Sequence, residues 1–294
     1  APIVEGVMSS LGQSGAGQFS FSSLGSLAYV PGSPDAAAQT LVWVDRNGAT
    51  QPLEAPQRAY ENPRLSPDGR RLAVRIVEEN IDIWVYELER RTLSRLTFDA
   101  GEDETPVWTP DGKWVTFAGD REGTRKLLRK RADGSGEEEE LAALQEHAHA
   151  TSWTSDGKVL AFETGTGGQK GDVWLVPTEG GPSAGSPRPA TAGSGQAGQG
   201  RKPIPFLRTP FNERGARFSP DGRWLAYASD ESGRMEVYVQ PYPGPGGKRQ
   251  ISPEGGDEPV WARNGRELFY RNGDKMMAVG ISTQPTFSAG SPEV

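Results

Sequence analysis

The sequence predicts an all-β propeller: six blades, or less readily seven, each a four-stranded antiparallel sheet, set around a central channel. Three observations predict it. A ten-residue phrase, clearest as Phe218-Ser219-Pro220-Asp221-Gly222-Arg223-Trp224-Leu225-Ala226-Tyr227, recurs at Leu65 to Val74, Trp108 to Phe117, Trp153 to Phe162 and Trp261 to Tyr270. Its anchors, Asp68, Asp111, Asp156, Asp221 and Asn264, fall 43, 45, 65 and 43 residues apart, which is the spacing of propeller blades. The third observation is composition: 38 Gly and 24 Pro, with apolar area concentrated in 8 Trp, 7 Tyr and 10 Phe, as many short strands joined by tight turns require.

Each column of the phrase has a physical task. Three residues before the anchor stand Leu65, Trp108, Trp153, Phe218 and Trp261, large apolar groups suited to an inner strand that fills the wedge between neighbouring sheets. Ser-Pro-Asp-Gly reads as a turn. Pro presets the first corner, Asp tolerates the second, and Gly accepts the positive φ at which the chain re-enters a strand. A basic residue follows every Gly, a solvated strand start, and an apolar strand completes the phrase.

In chain order, the predicted blades are about 25–58, 59–101, 102–145, 146–209, 210–256 and 257–294 of a single domain spanning 1–294. Residues 1–24 help to close the ring, and Pro2 to Val7 could supply the strand missing from the last blade. Phe19 to Ser26 is a degenerate copy of the phrase, and Leu41 to Val44 is a strand leading to the turn signal Asn47-Gly48. Asp82 to Leu88, Asp172 to Val176, Glu236 to Val239 and Met276 to Val279 are third strands. Glu137 to Glu140 reads as an exposed loop entering an edge strand. Residues 180–202, almost all Gly, Ser, Pro, Ala, Gln and Thr, cannot offset their ordering entropy and read as a flexible loop.

The totals narrow the function. A net charge of −7 and a pI of about 5.1 argue against nucleic acid as a partner. No apolar run approaches the roughly 18 residues of a membrane span, and no charged-then-apolar leader opens the chain, so a signal peptide was removed or never present. The absence of Cys removes disulfides and thiolate metal sites. That fits a periplasmic or extracellular monomer, and a cytoplasmic one nearly as well.

The phrase Ser219 to Ala226 resembles the TolB-type β-propeller repeat (PD40), a relative of WD40. Ala228 to Arg234 leading into Glu236-Val237-Tyr238 resembles that family's second loop. The resemblance covers about residues 25–280. Leu41 to Gly48 and the blade order are similar to the propeller region attached to some bacterial receptor-like serine/threonine kinases, although no kinase motif is present. The resemblance implies a sensing, scaffolding or partner-binding module.

Function in such a fold is expected at the channel mouth. Seven residues before the anchors stand Glu61, Glu104, His149, Arg214 and Asp257, with Asn62, Asp103, His147, Glu213 and Glu258 beside them. If the repeats superpose, the first five face one axis. They could bind a protein, peptide or small ligand. Glu61, Glu104, His149 and Asp257 could instead hold a divalent cation, calcium or zinc. Arg214 could answer a carboxylate or receive an anionic group. The plain alternative is a set of polar loop residues kept for solubility, with His147 and His149 hydrogen-bonded between blades. The sequence has no Gly-x-Ser-x-Gly elbow, and two His are too few for a triad elsewhere. Two readings follow: a non-enzymatic binding propeller, and a metal-dependent hydrolase or lactonase built on the carboxylate/His ring.

Overall fold

A computed structural model of the protein describes residues 19–21, 27–29, 39–46, 48–165, 170–178, 201–284 and 286–294. All regular elements among them are β-strands. No described helix is long and apolar enough to cross a membrane. The expectations for Pro2 to Val7 and for nearly all of the loop 180–202 fall outside the described residues.

The strands form four-stranded antiparallel sheets, each a consecutive meander. Sheet one comprises β1 (Phe19–Phe21), β2 (Leu27–Tyr29), β3 (Val42–Val44) and β4 (Thr50–Pro52). Sheet two comprises β5 (Tyr60–Leu65), β6 (Arg71–Val77), β7 (Ile81–Glu87) and β8 (Thr92–Arg95). Sheet three holds β9 (Asp103–Trp108), β10 (Trp114–Arg121), β11 (Thr124–Arg131) and β12 (Glu139–Ala143). Sheet four holds β13 (Ala148–Trp153), β14 (Val159–Thr164), β15 (Asp172–Pro177) and β16 (Ile204–Leu207). In sheet five are β17 (Glu213–Phe218), β18 (Trp224–Ser229), β19 (Glu236–Pro241) and β20 (Arg249–Gln250). In sheet six are β21 (Asp257–Trp261), β22 (Glu267–Asn272), β23 (Lys275–Ser282) and β24 (Ser288–Ala289). The last sheet thus takes its fourth strand from β24, where the sequence reading looked to the N-terminus.

The repeated phrase makes one turn each time. In sheet three the Thr109 hydroxyl donates to Asp111 Oδ1 at 2.6 Å, Lys113 N donates to the same oxygen at 3.0 Å, and Trp114 N donates to Thr109 Oγ1 at 3.1 Å. Ser66–Asp68, Thr154–Asp156 and Ser219–Asp221 repeat it. Gly112 sits at φ 67°, the left-handed region that a side chain would strain. The anchors are therefore turn formers. In sheet six, Ala262 removes the hydroxyl and Asn264 keeps only the bond from Arg266 N, at 2.9 Å.

Packing between sheets follows the wedge column. Leu65, Trp108, Trp153, Phe218 and Trp261 are all buried, each in an apolar cluster shared with the preceding sheet. Two of the indoles also cross the gap as donors: Trp108 Nε1 to Arg64 O at 2.7 Å and Trp261 Nε1 to Arg217 O at 3.0 Å. Phe218 has no ring N–H. There the Ser152 hydroxyl bridges the sheets, donating to Ala216 O at 3.1 Å and accepting from Phe218 N at 3.1 Å. Sheet six meets sheet one through Val42, Val44, Phe269 and Met276 and through a bidentate Arg46–Glu267 pair at 2.8 and 2.7 Å. All-β propeller architecture with four-stranded antiparallel blades follows.

Candidate functional site at the channel mouth

The inner strands β5, β9, β13, β17 and β21 stand side by side in sequence order. Every one of them carries a bulge within four residues of its start. At the bulges Asn62 (φ 49°), Thr105 (φ 51°) and Glu258 (φ 55°) adopt left-handed backbone, with Gly215 (φ 66°) at the equivalent place. Only five non-glycine residues among those described do so. Such backbone costs on the order of 1–3 kcal/mol each and gathers where a fold re-aims side chains for use.

Directly across the ladder from the mouth column lies a second column seven residues after the anchors. Glu61 pairs with Arg75, His149 with Glu163, and Asp257 with Arg271. The turn at the anchor is a hairpin, so positions equally far before and after it face each other. Arg75, Glu163 and Arg271 were not named from the sequence, although this symmetry would have found them. Arg125, from the third strand β11, had no such signal.

These side chains form a connected network. Arg75 binds Glu61, and its Nη2 donates to Glu104 Oε1 at 3.2 Å. Arg125 Nη2 donates to Glu104 Oε2 at 2.6 Å. His147 Nε2 and His149 Nε2 lie 3.3 and 3.6 Å from that same oxygen. His149 Nδ1 is 3.9 Å from Glu163 Oε1, and the two imidazoles meet edge-on at 4.9 Å. Burial alone would push the Glu104 carboxyl up; hydrogen bonds from both histidines and the charges of Arg125 and Arg75 outweigh it and hold the group well below the usual carboxylate range.

On the other side of the channel, Arg214 and Asp257 form a two-point pair, with Arg214 Nε 3.2 Å from Asp257 Oδ1. Arg271 Nε lies 3.1 Å from Glu258 Oε2. Burial pushes the Glu258 carboxyl up to about 8, against the nearby Arg271. Arg214 is also within electrostatic reach of Glu163 and Glu258, so sheets four, five and six meet here.

The expected residues thus divide. Glu104, His147, His149 and Glu61 come together, as do Arg214, Asp257 and Glu258. Asp103 and Glu213 do not join them. They stand one residue before the mouth column, where strand alternation turns them toward the preceding sheet. Asp103 is fully buried against Arg121, with Nη1 2.9 Å from its Oδ1, and burial raises its carboxyl to about 6 despite that arginine. Glu213 accepts from the Thr209 hydroxyl. Of the four residues expected to share a cation, Glu61 is bound by Arg75 and Asp257 by Arg214. A different trio, Glu104, His147 and His149, offers one ligand atom each within 4.8 Å of one another.

Comparison with known proteins agrees with the fold. The family model described as TolB beta propeller domain (PD40) matches residues 21–179, more than half of the chain. Over 74 residues the chain is 32% identical to an uncharacterized protein of Agrobacterium fabrum, covering 25% of each. Over 113 residues it is 26% identical to the uncharacterized peptidase YuxL of Bacillus subtilis, covering 36% of this chain and 17% of that protein. The match spans a quarter or less of these relatives' lengths. TolB from Acinetobacter baumannii superposes with a TM-score of 0.66 at 20% identity, over 91% of this chain and 63% of that one. A putative TolB from Agrobacterium tumefaciens gives 0.60 at 15%, over 82% and 83%. An oligogalacturonate lyase in complex with manganese gives 0.61 at 14%, over 95% and 82%. These structural likenesses speak for the fold alone, but the match to the family model, together with the repeated Ser-Pro-Asp-Gly turns, places the chain in the TolB β-propeller family.

Proposed function

We propose that the chain is a non-enzymatic binding propeller: six blades closed into one ring over the whole chain, periplasmic or extracellular, monomeric, recognising a protein, peptide or small ligand at the channel mouth. The observation that carries this reading is the mouth network itself. Paired groups of both signs, drawn from sheets two to six, are held around one axis by bulged strands. Each carboxylate already has a protein partner, so none stands as an unengaged general base. A pre-organised set of charge pairs suits recognition, because little side-chain freedom remains to be lost on binding. The test is selection of a random peptide library on immobilised protein. The reading expects enriched sequences that are lost in Arg75→Gln and Arg214→Gln variants of unchanged fold. Equal enrichment by wild type and both variants, or none by the wild type, would overturn it.

A second reading has one specific observation in its favour. Glu104, His147 and His149 are a donor set suited to a divalent metal such as zinc, and the oligogalacturonate lyase propeller is described with manganese. Such an ion would supply a polarised water for a hydrolase or lactonase. Against it, Arg125 and Arg75 occupy the same carboxylate and would repel a cation. Titration calorimetry with zinc and with manganese decides: a stoichiometric ion, lost in His149→Ala, would favour the metal, and no heat would favour the binding module.

A further inference from the structure

We propose that the mouth rim of sheets two and three is a docking surface for a basic protein segment, which sets an apolar side chain against Phe98 and Lys or Arg side chains against Glu79, Glu102 and Glu122. The inference deepens the channel-mouth reading and rests on it. Three loops meet at this rim, all at the strand ends opposite the anchor turns. Residues 78–80 join β6 to β7, residues 96–102 join β8 to β9, and Glu122-Gly123 joins β10 to β11. Contacts lock them together. Asn80 Nδ2 donates to Asp99 O at 2.6 Å, Asp120 N donates to Glu102 O at 3.3 Å, and Arg121 Nε lies 3.7 Å from Asp99 Oδ2.

Phe98 is 66% exposed, more than any other large apolar side chain among the described residues. Its position is built. Arg95 lies over the ring, 5.0 Å from the centroid, and is itself fixed by Thr97 O at 2.8 Å and Asp82 Oδ2 at 2.7 Å. Ile83 N donates to Thr97 Oγ1 at 3.0 Å and so ties the start of the loop to β7. The ring stands on a fixed loop with most of its surface in water. Covering it with an apolar side chain would be favourable, and little loop freedom would be lost in doing so. Phe211, the other exposed large apolar residue, shares its loop with the exposed cation Arg208. The combination of an open aromatic ring and unpaired carboxylates belongs to sheets two and three.

The charge on offer around the ring has one sign. The arginines that bear on these loops are already engaged: Arg58 binds Glu78, Arg95 binds Asp82, Arg121 binds Asp103 and Glu138, and Arg125 binds Glu104. Glu79, Glu102 and Glu122 are exposed, and their carboxylates have no cationic partner among the described residues. A partner that complements them is basic. The backbone at Glu122 agrees. Glu122 and Gly123 both have positive φ, 53° and 74°, in a two-residue turn that favours Asn or Gly at its first place. The equivalent turn of sheet six has Gly273 there, at φ 58°. A glutamate in that place is strained, and its carboxylate makes no bond among the described residues that would offset the strain. It stands instead beside the other free carboxylates of the rim.

The test uses the full chain and three short synthetic peptides, read by fluorescence anisotropy. One alternates Lys with Leu and Phe, one alternates Lys with Ser, and one alternates Glu with Leu and Phe. Wild type is expected to bind the first, to bind the second about tenfold more weakly for want of the apolar anchor, and not to bind the third. Phe98→Ala should weaken the first peptide about tenfold. Glu102→Gln with Glu122→Gln should weaken it about fivefold at low salt, the difference shrinking as salt is raised. Glu89→Gln with Glu137→Gln, which removes two exposed carboxylates elsewhere, should change nothing. All these side chains are exposed, so the variants keep the fold. No binding of the first peptide by wild type overturns the proposal. So does equal binding of the Leu/Phe and Ser peptides, or an equal loss in the Glu89/Glu137 variant. Calcium alone giving heat that the Glu102/Glu122 variant loses would assign the rim to an ion and overturn it too. Failure here leaves the mouth reading standing, because a peptide library can still yield acidic or neutral sequences that depend on Arg75 and Arg214.

Discussion

The two ends of each inner strand follow different rules. At the turn end, the same few atoms recur: a hydroxyl bonded to an anchor carboxylate, a backbone N–H on the same oxygen, and a glycine with positive φ. At the mouth end, the equivalent column reads Glu61, Glu104, His149, Arg214 and Asp257; Glu61 and Glu104 share Arg75, whereas Asp257 is held by the Arg214 of the neighbouring inner strand. One end is a hinge of the scaffold, solved once and copied. The other varies while remaining interconnected, and three of its residues carry left-handed backbone. Sameness within the repeat marks what holds the fold together, and difference marks what it presents.

The comparison can be broken by substitution. The largest effect belongs to the wedge column between the two ends. Trp108→Ala removes a buried indole and its bond to Arg64 O, and should cost about 3–5 kcal/mol in urea unfolding. Next comes the mouth. Glu104→Ala takes from Arg125 its nearer carboxylate and from Arg75 one of two and should cost about 3 kcal/mol, whereas a turn position should not approach that figure.

Titration sharpens the contrast further. Burial raises the Glu258 carboxyl to about 8, so between roughly pH 4.5 and 8 the folded chain keeps a proton there that the unfolded chain releases. Stability should therefore fall as pH rises through that window, and Glu258→Gln should flatten this part of the profile. An unchanged slope in the variant would remove Glu258 as its source. The smallest effect lies at the turn end: Asp111→Ala loses the bonds from Thr109 and Lys113 and should cost about 1 kcal/mol. A larger cost there than for Glu104→Ala would reverse the reading of the two ends.

Much of this was legible in the sequence because the anchor turn fixes register. Counting from Asp68, Asp111, Asp156, Asp221 and Asn264 locates the buried wedge residues and the mouth column without coordinates. The same count run forward would have supplied Arg75, Glu163 and Arg271. Arg125 was not legible, because its place depends on the two-residue turn Glu122-Gly123 that sets β11 against β10. Asp103 and Glu213 are neighbours of the mouth column in sequence, but alternation along the strand turns them to Arg121 and Thr209 instead. The last strand, Ser288–Ala289, escaped because two exposed small residues carry no apolar pattern.

The central claim is that side chains distant along the chain meet across one channel. A double-mutant cycle on Arg214→Gln and Asp257→Asn, 43 residues apart in the chain and paired between sheets five and six, measured by urea unfolding, tests it most directly. Their meeting at the mouth predicts a coupling of about 0.5–3 kcal/mol, because either substitution alone already breaks the pair. Strict additivity, within about 0.3 kcal/mol, would place the two side chains apart and contradict the account.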